Sequence, residues 1–288
     1  MAEIKGILVP IGGAEDKGID YIKSATENSR FDFFETGILR QIVKLVEKLQ
    51  GTPRIELITT ASSFPEKMEE TYCRAFGKLG CDNMRHLFIT HREQVDTEEH
   101  LERLSACNCI IFTGGDQLRL TSILGGTEFL ACIKRRYMEE PIVVAGTSAG
   151  AMAMGGTMIY DGNATRAHLK GEIKFSTGFD FISNVIIDTH FEKRGRFNRL
   201  AQAVAVQPGI IGFGLAEDTG MIISAGNNIE VIGSGIITIL NGKNITYTNL
   251  IDITDKMPIS VENIIVHILS QGEKYDLATN QPIRPGKQ

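Results

Sequence analysis

Short, uninterrupted apolar runs alternate with segments of helical period along the first half of the chain. Gly6-Ile7-Leu8-Val9-Pro10-Ile11 has no polar position to turn towards water, so it reads as a buried strand, ended by Gly12-Gly13. Over residues 36–50, Ile38, Ile42, Leu45 and Leu49 recur three to four apart, which is one face of a helix, and Gly51 stops it. Residues 55–60 form the next strand. Pro65 opens a second helix that turns Met68, Tyr72, Ala75, Phe76 and Leu79 inward and ends at Gly80. Residues 86–90, 97–106 and 109–113 continue as strand, helix and strand, and Ile142-Val143-Val144-Ala145 follows Pro141 as a further apolar strand.

This order predicts an α/β protein with a mostly parallel sheet flanked by helices. Right-handed crossovers put the C-terminal ends of such strands on one edge, where α/β proteins place their chemistry. Ile11-Gly12-Gly13, Phe112-Thr113-Gly114-Gly115 and Ala145-Gly146 all end there. Beyond about residue 210 the pattern shortens into antiparallel strands separated by Asn227-Asn228 and Asn241-Gly242 turns. The expectation is one domain over 1-288, with a β appendage at 220-250. Residues 261–269 are expected as a last helix, and 272-288, with Pro282 and Pro285, as a poorly ordered tail.

Composition narrows the classes. A hydrophobic share of 42% and a charged share of 23% suit a globular chain, and thirty glycines without a tryptophan favour a turn-rich α/β protein over a bundle. The formal net charge of -5 argues against nucleic acid as a partner. Five cysteines form neither an even framework nor a CxxC pair, and Cys107 and Cys109 flank an apolar run as buried thiols. No basic leader precedes an apolar stretch and no run of 18 apolar residues occurs, so the expectation is a cytoplasmic protein with no membrane partner.

The chemistry centres on Gly146-Thr147-Ser148-Ala149-Gly150, which follows an apolar strand and precedes an Ala/Gly/Met helix. A GxSxG in that setting is a nucleophile elbow: the serine sits on a tight turn, and the glycines let strand and helix approach. No cysteine stands in the elbow, which argues against a thiolate glutaminase. A serine hydroxyl needs a base. Of six histidines, His190 alone follows a buried strand end, Val185-Ile186-Ile187-Asp188-Thr189, on the edge assigned to Ser148; His168, in a polar loop, is the second candidate. Glu217, ending the strand Gly212-Phe213-Gly214-Leu215-Ala216, is the carboxylate expected to orient the imidazole, with Asp218 as its close alternative. Gly115 and Ala149 are placed to offer backbone N–H groups to an oxyanion, and Gln117 to face substrate. No metal and no cofactor is needed.

Phe112-Thr113-Gly114-Gly115-Asp116-Gln117-Leu118, the elbow, Asp188-Thr189-His190-Phe191 with Arg194, Arg196 and Arg199, and the opening Ile11-Gly12-Gly13-Ala14-Glu15-Asp16-Lys17 together resemble the cyanophycinases. These are serine exopeptidases of peptidase family S51, related to aspartyl dipeptidases. They release β-Asp-Arg dipeptides from a poly-aspartate that carries arginine on its side chains. The resemblance implies a core like that of class I glutamine amidotransferases, flavodoxin-like in its layers. It implies Ser148 as nucleophile, His190 as base and Glu217 as third member. It further implies substrate contacts at Gln117, Asp188, Thr189, Arg194, Arg196 and Arg199, and a homodimer. Guanidinium forks suit the substrate's free carboxylates, and Asp188 suits its guanidinium or one of these arginines. The family pattern is Asp-Gln-His-Phe, and Thr189 puts a short hydroxyl where that pattern has a long amide. A dipeptidase for Asp-X or isoaspartyl peptides, and a non-catalytic peptide-binding protein on the same fold, are the other readings of these residues.

Overall fold

The computed structural model describes residues 4–18 and 32–284. The first half alternates as the apolar pattern predicts: β1 (Ile7–Ile11), α1 (Ile38–Gln50), β2 (Ile55–Ile58), α2 (Pro65–Lys78), β3 (Met84–Leu87), α3 (Glu98–Ala106) and β4 (Cys109–Phe112). Then come α4 (Gln117–Leu124), α5 (Glu128–Glu139), β5 (Val143–Thr147), α6 (Ala149–Met152), β6 (Thr157–Asp161), β7 (Lys174–Thr177), β8 (Val185–Asp188) and α7 (Phe197–Val206). The remainder is strands: β9 (Ile211–Leu215), β10 (Thr219–Ser224), β11 (Asn228–Gly233), β12 (Ile236–Asn241), β13 (Tyr247–Thr248), β14 (Val261–Glu262), β15 (Ile265–Ser270), β16 (Lys274–Asp276) and β17 (Gln281–Ile283).

Among the described residues the central sheet has nine strands in the order β17-β16-β11-β10-β1-β5-β4-β2-β3. From β1 to β3 its neighbours run parallel; from β10 to β17 they run antiparallel. Alternate residues of a strand face opposite sides, and the core divides accordingly. Val9, Ile111 and Val143 pack with Ile38, Ile42, Tyr72 and Phe76 of α1 and α2. Leu8, Ile110 and Val144 pack on the other face with α4, α5, α6 and a second sheet, ordered β15-β12-β9-β8. The fold is therefore α/β, with a mixed, mostly parallel central sheet, flanking helices and C-terminal antiparallel strands. No described helix is long and apolar enough to cross a membrane.

Three expectations change. Residues 261–269 form strands and not a helix: β15 pairs antiparallel with β12, placing Ile237 opposite Leu269 and Ile239 opposite His267. Val261, Ile264, Ile265, Val266 and Ile268 are β-branched and fit a pleated surface better than a helical one. The strands of 220-250 do not hang off the main sheet: β10 and β11 are inside it and β12 is inside the second. The tail is likewise ordered up to residue 284, because β16 pairs with β11 and buries Tyr275 edge-on against Phe213 at 6.1 Å between ring centres. Its last four residues, Pro285 included, lie outside the described residues.

Tyr275→Ala removes a fully buried ring joining the two sheets. It is expected to lower unfolding free energy by about 3–5 kcal/mol, read from urea denaturation. A loss typical of a surface site would mean that the tail contributes nothing to the core.

Candidate active site

Ser148 lies between β5 and α6, at the helix N-cap, with φ 51° and ψ −111°. That conformation costs a non-glycine residue about 1–3 kcal/mol; the surroundings hold it. Its N–H donates to Ile11 O at 2.9 Å. A Cβ on Gly146 would lie 2.7 Å from the Gly150 backbone, and one on Gly150 would lie 2.3 Å from Phe112 O, so strand and helix close tightly only because both are glycine.

His190 comes from a different sheet from the one expected. β8 and β9 pair parallel in the second sheet, and their ends meet the central sheet beside β1. The reason is the connection after β9: it turns at residues 216–218 and re-enters as β10, which is paired antiparallel with β1. His190 N–H donates to Gly12 O at 2.9 Å, and its Nε2 stands 3.1 Å from Ser148 Oγ. His190 Nδ1 is 2.7 Å from Glu217 Oε1, so the expected carboxylate is the one beside the imidazole. Asp218 serves another purpose. Its carboxylate accepts from Ser234 Oγ at 2.6 Å and Asp16 N–H at 3.2 Å, and its own N–H donates to Gly13 O at 2.9 Å. His168 is exposed, and His86 is taken up by Thr59 and Glu69.

Burial holds the His190 imidazole below its ordinary pKa; the hydrogen bond to Glu217 opposes this and the Arg194 charge adds to it. For Glu217, burial pushes upward, but hydrogen bonds from Lys193 and His190 outweigh it and keep the carboxylate below its usual range. Lys193 Nζ lies 2.9 Å from Glu217 Oε2 and is 63% exposed. The sequence reading missed this lysine: a cation in a run of basic residues carries no signal of which carboxylate it meets. Asp218 is pushed up by its burial, despite the Ser234 hydrogen bond.

Gly115 has φ 146°, and a Cβ there would fall 1.9 Å from Ala61 O, so the turn after β4 requires glycine. Among the described residues neither Gly115 N–H nor Ala149 N–H has a hydrogen-bond acceptor. Asp116 then caps α4 through Leu118 N–H at 2.8 Å and Arg119 N–H at 3.1 Å. Gln117 donates from its amide nitrogen to Ile159 O at 3.0 Å and Tyr160 O at 3.3 Å, leaving only its oxygen for a ligand.

The arginine wall divides in two. Arg199 grips Asp188 as a fork, with Nε at 2.8 Å from Oδ2 and Nη2 at 2.7 Å from Oδ1. Arg196 Nη1 adds 2.9 Å to Asp188 Oδ1 and 2.7 Å to Thr189 O. Asp188, Thr189 and Arg199 are buried, so a ligand at the surface does not touch them in this conformation. At Asp188 and Arg199 the expected substrate contacts are taken by the fork between them. Thr189 is 0% exposed and its hydroxyl finds no partner among the described residues. Arg194 is exposed and forms no salt bridge with a described residue.

A hydroxyl on a strained strand-to-helix turn, aligned on an imidazole that is itself aligned on a carboxylate, is the arrangement of serine hydrolases. The chain belongs to peptidase family S51, whose profile matches residues 25–232, and it is a serine-type peptidase. It is 33% identical over 279 residues to a cyanophycinase of Synechococcus elongatus, covering 96% of this chain and 81% of that one. A cyanophycinase of Trichormus variabilis is 33% identical over 273 residues, covering 95% of this chain and 86% of the relative. The crystal structure of a peptidase from an acI-B1 Actinobacterium shares the fold, with a TM-score of 0.66 at 20% identity over 96% of this chain and 99% of that chain.

A base works only while neutral, so activity is lost as pH falls through the His190 pKa. Because that pKa is lowered, the acid limb of the kcat/KM profile is expected below the ordinary histidine value of 6.5. Arg194→Gln removes a nearby positive charge, raises the His190 pKa and moves the limb to higher pH. A limb at the same pH in both proteins would contradict this account.

Proposed function

We propose that the chain is a serine exopeptidase that hydrolyses cyanophycin, the multi-L-arginyl-poly-L-aspartate polymer, to β-Asp-Arg dipeptides through an acyl-enzyme. The observation that carries the reading is the alignment of Ser148, His190 and Glu217, at 3.1 and 2.7 Å, in a chain one-third identical to cyanophycinases along nearly its whole length.

His190, neutral at working pH, takes the Ser148 proton as the hydroxyl oxygen attacks the carbonyl carbon of the scissile peptide bond. Glu217 keeps the imidazole in the tautomer that presents Nε2 as acceptor, and stabilises the imidazolium once formed. Gly115 and Ala149 supply the N–H groups for the tetrahedral oxyanion. The imidazolium gives its proton to the leaving amine. Water, activated by the same histidine, then attacks the ester and frees Ser148. Arg194 and the outward part of Arg196 meet the substrate's carboxylates, and the Gln117 oxygen accepts from a substrate N–H. Asp188 and Arg199 act beneath this surface, holding Arg196 in place. A cytoplasmic homodimer belongs to the same proposal.

Incubation with purified cyanophycin and mass analysis of the products tests it. β-Asp-Arg dipeptides are expected from the native chain, and Ser148→Ala is expected to be slower by at least about 10,000-fold. Turnover of short Asp-X or isoaspartyl peptides with no dipeptide from the polymer would transfer the site to a dipeptidase. Failure of a fluorophosphonate to label Ser148 would leave only a binding protein.

A further inference from the structure

Glu15 belongs to the segment Gly13-Ala14-Glu15-Asp16-Lys17, to which the mechanism above gives no task. Its side chain is 1% exposed beside Lys17, whose Nζ lies 3.1 Å from Glu15 Oε1. The same oxygen accepts from the Tyr72 hydroxyl of α2, and Oε2 accepts from Thr147 Oγ1 at 2.7 Å. Burial acts to raise the Glu15 pKa, but Lys17 and the two hydroxyls outweigh it, so the carboxylate stays ionised in the interior. A buried carboxylate with every contact satisfied is costly to assemble and gives little net stability over an apolar replacement. A filler of space would not be a glutamate.

What the carboxylate joins gives it a task. Thr147 is the residue before Ser148 and the last of β5, so the Thr147–Glu15 bond holds one side of the peptide unit that enters the strained turn. Two residues before Glu15, Gly13 (φ 98°) lies against the His190 ring: a Cβ there would be 2.5 Å from Cε1. Ala14 between them also has a positive φ, 50°. Gly13 O accepts the Asp218 N–H, next to Glu217. Anchoring Glu15 on α2 and β5 therefore fixes the turn before Ser148 and the loop that seats His190.

We infer that Glu15 is a buried positioning residue that holds Ser148 through Thr147 and His190 through the 13–15 loop. The inference rests on reading Ser148 as the nucleophile, and Glu15 itself touches no substrate. Thr147→Val keeps the shape of the side chain and removes only its hydroxyl; Glu15→Gln keeps the size and removes the charge; Thr147→Ser keeps the hydroxyl. The readouts are the rate of Ser148 labelling by a fluorophosphonate, kcat and KM on cyanophycin, and the unfolding temperature. Glu15→Gln and Thr147→Val are each expected to lower labelling and kcat by about ten- to a hundredfold, with KM within about twofold. Thr147→Ser should recover most of the rate. The double variant should be no slower than the slower single one, since the Thr147 bond is among the contacts that Glu15→Gln already weakens.

Labelling of Thr147→Val at the native rate, a double variant slowed by the product of the two effects, or KM rising in step with the loss of kcat would each overturn the inference. If Glu15→Gln does not fold, the two Thr147 variants decide the matter. A native protein that labels normally but leaves cyanophycin intact defeats the substrate proposal alone, and the labelling comparison still judges Glu15. A native protein that does not label overturns both.

Discussion

Three consecutive carbonyls at the end of β1 carry the arrangement of the site. Ile11 O accepts the N–H of Ser148, Gly12 O that of His190 and Gly13 O that of Asp218, each at 2.9 Å. The three donors arrive from β5 in the central sheet, from β8 in the second sheet, and from the connection that crosses between the sheets. Backbone hydrogen bonds tolerate little variation in distance or angle, so one short stretch of chain sets where three distant segments stop. It works only with glycine at its centre: a Cβ on Gly12 would fall 1.9 Å from Ala216 O. The second sheet thus meets the first with its own backbone, and side chains need only reach across the seam.

Backbone strain gathers around this seam. Ala14, Ser148, His190 and Asp218 all have positive φ without being glycine. Each such residue costs about 1–3 kcal/mol, and strain of that size persists only where neighbouring contacts over-determine the backbone. Here those contacts are visible: the carbonyls of Ile11, Gly12 and Gly13 for Ser148, His190 and Asp218, and the Glu15 anchor for Ala14. The strain aims side chains. A serine in ordinary helical or extended geometry at the strand end would turn its hydroxyl along the sheet, whereas the left-handed turn lifts it towards the histidine.

Much of this was legible before the structure. Continuous apolar strands ended by glycine located the parallel half of the sheet, and the small-residue elbow marked Ser148, because a tight strand-to-helix approach leaves a compositional trace. His190 and Glu217 were visible as polar residues ending apolar strands. Their sheet was not: periodicity reports that a strand is buried, never which strand lies beside it. Residues 261–269 were misread as a helix for a related reason, while the strands before them were read correctly. In residues 261–269 the apolar residues are nearly continuous, and short apolar runs do not separate strand from helix by period; pairing with β12 decides it. Lys193 and Glu15 stayed hidden because a charge in sequence does not name its partner.

The arginine wall shows how burial redistributes charge. Three arginines within six positions suggest three free cations, yet Asp188 engages two of them with both of its oxygens. An ionised Asp188 left unpaired in this interior would be strongly disfavoured, and the Arg199 fork meets that need with geometry matched to a carboxylate. Arg196 then bonds Asp188 Oδ1 and Thr189 O together, so its guanidinium is already oriented before any ligand arrives. The cluster of one carboxylate and two guanidiniums keeps a net positive charge, and Arg194 stands beside it at the surface. A wall of this kind favours anionic groups with little reorganisation, because the side chain that must be rigid is held from below and the one in solvent is left to adjust. Thr189 fits the same economy of space: its short side chain is wholly buried, so it is not among the groups this surface presents.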